Sequence, residues 1–177
     1  PGGNTRSVLH YEPFPLAMVG GRGCRLTDAD GHVYVDLLGE FTAGLYGHSD
    51  PVIARAIAAA VEGGLNLGSQ TLREAELAEL VRARFPTMQL LRFTNSGTEA
   101  NLMALAAAKA HTGRSQVMVC EGAYHGGVLT FPAGSHAVNV PHDFILAPYN
   151  VIEPTRALIR RHAAGLAAVL VEPMMGS

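Results

Sequence analysis

Leu90-Leu91-Arg92-Phe93-Thr94, then Asn95-Ser96-Gly97-Thr98-Glu99-Ala100, then Gln116-Val117-Met118-Val119-Cys120-Glu121 decide the fold. The first and third are short runs of strand length, and the chain between them reads as a helix from Thr98 to His111, closed by Gly113. The alternation continues. Phe144-Ile145-Leu146 reads as a strand, residues from about Glu153 to Ala164 as a helix, and Ala167 to Val171 as a buried strand. Repeated β-α-β units with continuous apolar strands imply an α/β fold, a mainly parallel sheet with helices on both faces.

Upstream the pattern differs. Cys24-Arg25-Leu26-Thr27 and His32-Val33-Tyr34-Val35-Asp36-Leu37 flank Asp28-Ala29-Asp30-Gly31, which predicts a β-hairpin. Gly39 to Gly47 is rich in glycine and aromatics and reads as a loop. Ser49-Asp50-Pro51 then places an N-cap before a proline at the first helical position. The helix it opens carries Val52, Ile53, Ala56, Ile57, Ala60 and Val61 on one face and stops at Gly63-Gly64. Thr71-Leu72-Arg73-Glu74 has capping-box spacing and opens a second helix with a Leu77, Leu80, Val81 stripe, ended by Pro86. Gly126 to Asp143, rich in Gly, Pro and His, is the least readable part.

Composition narrows the function. The 177 residues are 48% hydrophobic and 16% charged, as suits a globular body. The net charge is −2, so the positive field that gathers nucleic acid or anionic lipid is missing. No apolar run approaches the roughly 20 residues of a membrane helix, and Pro1 to Arg6 has no signal-peptide character. Cys24 and Cys120 fit no metal or redox spacing and are expected to be reduced, in a cytoplasmic protein. Small molecules and other subunits are the expected partners. Pro1 is an unusual natural start, so the chain is expected to be cut at both ends.

Ligands of an open parallel sheet bind beyond the carboxyl ends of its strands, and three such ends carry unusual polar content. In Thr94 to Ala100, small hydroxyl residues around a glycine at a helix start suit a phosphate, with Ser96 and Thr98 adding hydroxyl donors. Ordinary capping by Asn95 or Ser96 accounts for the same composition equally well. The stretch is neither a dinucleotide glycine fingerprint nor a Walker loop. Glu121-Gly122-Ala123-Tyr124-His125-Gly126-Gly127 places an aromatic pair between glycines, which lets a flat side chain lie over a flat ligand ring. A loop-anchoring Tyr124 and a structural His125 are the alternatives. Glu172-Pro173 puts a carboxylate, functional or merely solvated, where a buried strand ends. Together the three describe a site for a flat, phosphorylated cofactor.

Those three motifs, in that order and spacing, resemble the class III pyridoxal-phosphate-dependent aminotransferases, in particular the branch of glutamate-1-semialdehyde aminomutases and β-amino-acid transaminases. Pro1-Gly2-Gly3, Tyr34-Val35-Asp36 and Gly47-His48 before Pro51 also match, and the likeness is weakest between Leu129 and Asp143. The resemblance implies fold type I. Residues 1–50 would belong to the small domain and 51–177 to the first part of the large cofactor-binding domain, truncated at Ser177. It implies pyridoxal 5'-phosphate as cofactor, held by Ser96, Gly97 and Thr98 at the phosphate and stacked on Tyr124, with His125 and Glu172 lining the pocket. It further implies a homodimer and amino transfer to or within an amino-acid or amino-ketone substrate. Arg6 is proposed as a contact for the substrate carboxylate, the alternative being a solvated terminal arginine. Phe41 and Tyr46 would either shape the substrate pocket or pack the small domain.

Such chemistry needs a Schiff-base lysine. Lys109 is the only lysine in this sequence, about 11 residues past Thr98 on the same helix. At about 1.5 Å per residue that is roughly 16 Å from the phosphate site, further than the cofactor reaches. The resemblance puts the acidic partner of the pyridine nitrogen soon after Glu172-Pro173 and the lysine later still, beyond Ser177, so the isolated chain is expected to be inactive. A noncatalytic binder of pyridoxal phosphate or another phosphorylated ligand is the alternative.

Overall fold

A computed structural model describes residues 11–132 and 137–176. The chain divides into two compact units, Pro1–Leu80 and Val81–Ser177.

The first unit contains a three-stranded antiparallel sheet, β1 (Met18–Arg22), β2 (Arg25–Asp28) and β3 (Val33–Val35), in that order. The expected hairpin is β2–β3, with Leu26 opposite Tyr34. Its turn is organised by the Asp28 carboxylate, which accepts from the backbone N–H groups of Asp30 and His32 at 3.0 and 2.8 Å and from the Tyr34 hydroxyl at 2.7 Å. These bonds hold the Asp28 carboxyl below its ordinary range, the Tyr34 hydroxyl contributing most. Strand β1 has no clear mark in the sequence, since Gly20 and Gly21 weaken a strand signal. Helix α1 (Pro51–Glu62) begins where its sequence dictates: the Asp50 carboxylate caps the N–H groups of Val52 and Ile53, and Pro51 occupies the first turn. Its apolar residues Val52, Ile53, Ile57 and Val61 are exposed. Thr71 Oγ1 accepts from Glu74 N at 3.3 Å where α2 (Leu72–Arg84) starts.

The second unit is the β-α-β body. Helix α3 (Gly97–Thr112) ends on Gly113, whose φ of 67° is the left-handed cap conformation that glycine adopts without steric cost. Strands β4 (Gln116–Cys120), β5 (Asp143–Ala147) and β6 (Leu166–Val169) form a parallel sheet in the order β5-β4-β6, and α4 (Ile152–His162) connects β5 to β6. Alternate residues of central β4 face opposite ways. Val117 and Val119 pack with Leu105 of α3, Leu129 and Phe131, whereas Met118 packs with Ile145, Ala147 and Leu158 of α4. Helices therefore cover both faces, as the apolar runs implied.

The expected strand at Leu90–Thr94 is absent. A strand exists only through pairing, and no described strand pairs with this segment, where Leu90 is 94% exposed.

Candidate functional site

Because β4 and β6 run parallel, their carboxyl ends emerge on one edge, leading into the Glu121–Gly127 strap and to Glu172 respectively. The strap is a tight turn: His125 N donates to Leu129 O at 2.8 Å, Phe131 N to Ala123 O at 2.9 Å, and Tyr124 bridges Thr130. Further bonds tie it to its surroundings. Tyr124 N donates to Glu172 Oε2 at 3.2 Å, Gly127 N to Thr98 Oγ1 at 3.3 Å, and Asn101 Nδ2 to His125 O at 2.8 Å. The approach to α3 is close enough to require glycine, since a Cβ on Gly126, at φ +130°, would overlap the Thr98 side chain.

At the start of α3, Ser96 is the N-cap and its Oγ accepts from Glu99 N at 3.2 Å, while Glu99 Oε2 accepts from Asn95 N at 2.7 Å. The capping role and the phosphate role are compatible. Ser96 Oγ and Thr98 Oγ1 both accept backbone bonds, which leaves each hydroxyl proton free to donate outward. The N–H groups of Gly97 and Thr98, first in the helix, have no partner among the described residues. Four donors thus meet at the positive end of the helix dipole.

Tyr124 is 59% exposed, so its ring is available as a platform. His125 is 6% exposed, with its ring edge against Phe131 at 6.4 Å. Burial pushes the imidazole below its ordinary value of 6.5, against the opposing pull of the Glu172 charge. Its Nε2 is buried without a hydrogen-bond partner among the described residues. Glu172 is half-buried at the edge. These features fit a flat phosphorylated group: donors for a phosphate, an exposed aromatic ring, and a buried polar atom lacking a partner.

Sequence reading thus placed Ser96, Gly97, Thr98, Tyr124, His125 and Glu172 on elements that the structure ties together. It missed Asn101, whose only signal was an amide inside an alanine-rich helix. Arg6 lies outside the described residues. Lys109 is engaged elsewhere, its Nζ 3.3 Å from His142 Nδ1. A groove of about 600 Å³ in this unit lies by Cys120, Tyr149, Ile152 and Arg156 and includes none of the expected site residues.

The model of the class-III aminotransferases matches residues 8–177. The chain belongs to that family. Family relatives include the β-phenylalanine transaminase of Variovorax paradoxus, 54% identical over all of this chain and 41% of its own length. The glutamate-1-semialdehyde 2,1-aminomutase of Methanothermobacter thermautotrophicus is 36% identical over all of this chain and 45% of its own. The crystal structure of a β-phenylalanine aminotransferase from Variovorax paradoxus superposes with a TM-score of 0.96 at 55% identity, over 99% of this chain and 41% of that one. The fold is accordingly that of the fold-type-I transferases, and the chain spans about two-fifths of the length of these relatives.

Proposed function

We propose that the protein carrying this chain is a pyridoxal-phosphate-dependent enzyme that transfers an amino group to or within a carboxylate-bearing substrate, as a transaminase or a 2,1-aminomutase. The observation that carries the reading is the double attachment of the Tyr124 strap, to Thr98 at the donor-rich start of α3 and to Glu172 beyond β6. It puts the donor-rich helix start and an aromatic ring on one frame, which supports a ligand that carries both a phosphate and a ring. When bound, the cofactor supplies the electron sink for amino transfer. Gly97 and Thr98 N–H groups and the Ser96 and Thr98 hydroxyls hold its phosphate, and Tyr124 stacks on its ring. His125 is the buried member of the strap, where burial favours its neutral form, and Glu172 fixes the strap through the Tyr124 N–H.

Several finer points belong to the same proposal. Residues 1–50 contribute to the small domain and 51–177 to the large one. The enzyme is a cytoplasmic homodimer, and Arg6 contacts the substrate carboxylate. The name of the Variovorax relative supports a β-amino acid as substrate. No helix among the described residues is long and apolar enough to cross a membrane.

The lysine that attaches the cofactor lies in the protein beyond Ser177. Borohydride reduction of the full-length gene product with pyridoxal phosphate, then mass mapping, tests this. A labelled lysine beyond Ser177 supports the enzyme. The engagement of Lys109 with His142 favours, for this chain alone, the second reading: a noncatalytic binder, which saturable binding without any labelled lysine would select.

A further inference from the structure

Asn101 sits one turn inside α3, among the alanines Ala100, Ala104 and Ala106, where an amide is a poorer helix former than its neighbours. Its Nδ2 donates at 2.8 Å to the carbonyl of His125, the oxygen of the peptide that joins His125 to Gly126. The strap's own turn bonds use the N–H of His125 and leave this carbonyl to the helix. On the same helix face, Thr98 Oγ1 receives the N–H of Gly127. The two bonds grip consecutive peptides from one helix, so the strap cannot slide along α3 without breaking one of them.

We propose that Asn101 is a positioning residue that fixes the height of the Tyr124 ring relative to the phosphate donors at the start of α3. This role rests on the cofactor reading and deepens it. The helix end binds the phosphate whatever residue 101 is, and Tyr124 supplies the ring contact. Asn101 makes the two fit one ligand at once, which is preorganisation rather than contact. The requirement is specific to a ligand carrying both a phosphate and a ring.

The test is a double-mutant cycle in the full-length protein, using 4'-deoxypyridoxine 5'-phosphate, an analogue that binds without a lysine bond. Asn101→Leu is expected to weaken the analogue about three- to tenfold, the range of one neutral hydrogen bond. Competition by inorganic phosphate should change less than about twofold, within the error of such a comparison. In a Tyr124→Ala background, Asn101→Leu should then have no further effect on the analogue. Asn101→Gln keeps the donor but shifts it by one methylene, and serves if the leucine variant does not fold. It should lose affinity partially, again only when Tyr124 is present. Equal losses for phosphate and analogue, or losses that persist undiminished without Tyr124, would overturn the role of Asn101 while leaving the cofactor site intact. Failure of the unmutated protein to bind the analogue would instead overturn the cofactor reading, and this inference with it.

Discussion

The backbone N–H of Tyr124 donates to the Glu172 carboxylate at 3.2 Å across a sequence separation of 48 residues. The bond ties the strap beyond β4 to the acid beyond β6, so the two strand ends share one frame. Glu172→Gln keeps an acceptor oxygen and should hold the strap. Glu172→Ala removes it and leaves a peptide N–H to find water, costing about 1–2 kcal/mol, the scale of a bond to a charged group at a half-exposed site. Urea denaturation of the two variants, with cofactor affinity measured alongside, checks the ordering.

His125 gives the edge a pH dependence of defined sign. Its folded-state pKa lies below the ordinary 6.5, so the unfolded chain binds more protons in that window and stability rises with pH across it. The contribution is complete above about 6.5 and is lost as pH falls through the lower folded value. His142 moves the same way, from burial and then from Lys109, so two groups share this acid limb. His125→Gln should flatten the limb in part, read as the midpoint of thermal unfolding between about pH 7 and pH 5. Glu172→Gln should steepen it, because the carboxylate charge opposes the depression.

Local features are the ones legible in the sequence. Asp28 to Gly31 dictates a turn, and Asp50-Pro51 dictates a helix start, through contacts within a few residues. The central strand β4 is legible because burial on both faces leaves an unbroken apolar run. Leu90–Thr94 misleads for the converse reason: an apolar run states a preference for pairing but not the presence of a partner. The strap is legible as unusual composition yet not as geometry, since its fixing bonds join residues 24, 29 and 48 positions apart. Asn139 is similar: its side chain exchanges two bonds with the backbone of Thr130, at 2.9 and 2.8 Å, and so stands in for a strand partner within the least readable stretch.

Gly126 is where the strap touches α3, and a methyl there has no room. An ideal Cβ would lie 2.8 Å from Thr98 Cα, which is backbone and cannot swing away, and the φ of +130° adds strain for any other residue. Gly126→Ala should therefore destabilise the protein by about 1–3 kcal/mol and break the Gly127–Thr98 bond. Gly127→Ala, with open space at its Cβ, is the control and should leave both stability and cofactor affinity near the unmutated values. Equal behaviour of the two in a denaturation titration would mean that the strap does not sit against the helix.

Asp28 organises the hairpin turn with all its acceptor capacity directed inward, so its lowered pKa produces stability that is present above about 3.8 and lost as pH falls through the folded value. Asp36 shares the direction, chiefly through the Gly39 N–H and then His48. Tyr34→Phe removes the largest cause of the Asp28 shift. It should raise the Asp28 pKa, measurable by carboxyl NMR titration, and leave the pH dependence near neutrality unchanged.

Ser96 and Thr98 look interchangeable as small hydroxyls beside one glycine, but the structure gives them different duties. Ser96 Oγ caps α3 through Glu99 N, so Ser96→Ala should cost about 1 kcal/mol of stability as well as one phosphate donor. Thr98 lies inside the helix, and its hydroxyl both receives Gly127 N and keeps a proton for the ligand. Thr98→Val preserves the shape and loses both functions of the oxygen, leaving the Gly127 N–H without its acceptor. Its effect on cofactor affinity should exceed that of Ser96→Ala, and its effect on helix stability should be smaller, since capping is untouched. Thr98→Ser restores the oxygen and should recover most of the affinity. Measuring thermal unfolding without cofactor and affinity with it separates the two axes, and a serine variant no better than valine would show that the oxygen of Thr98 does not serve the phosphate.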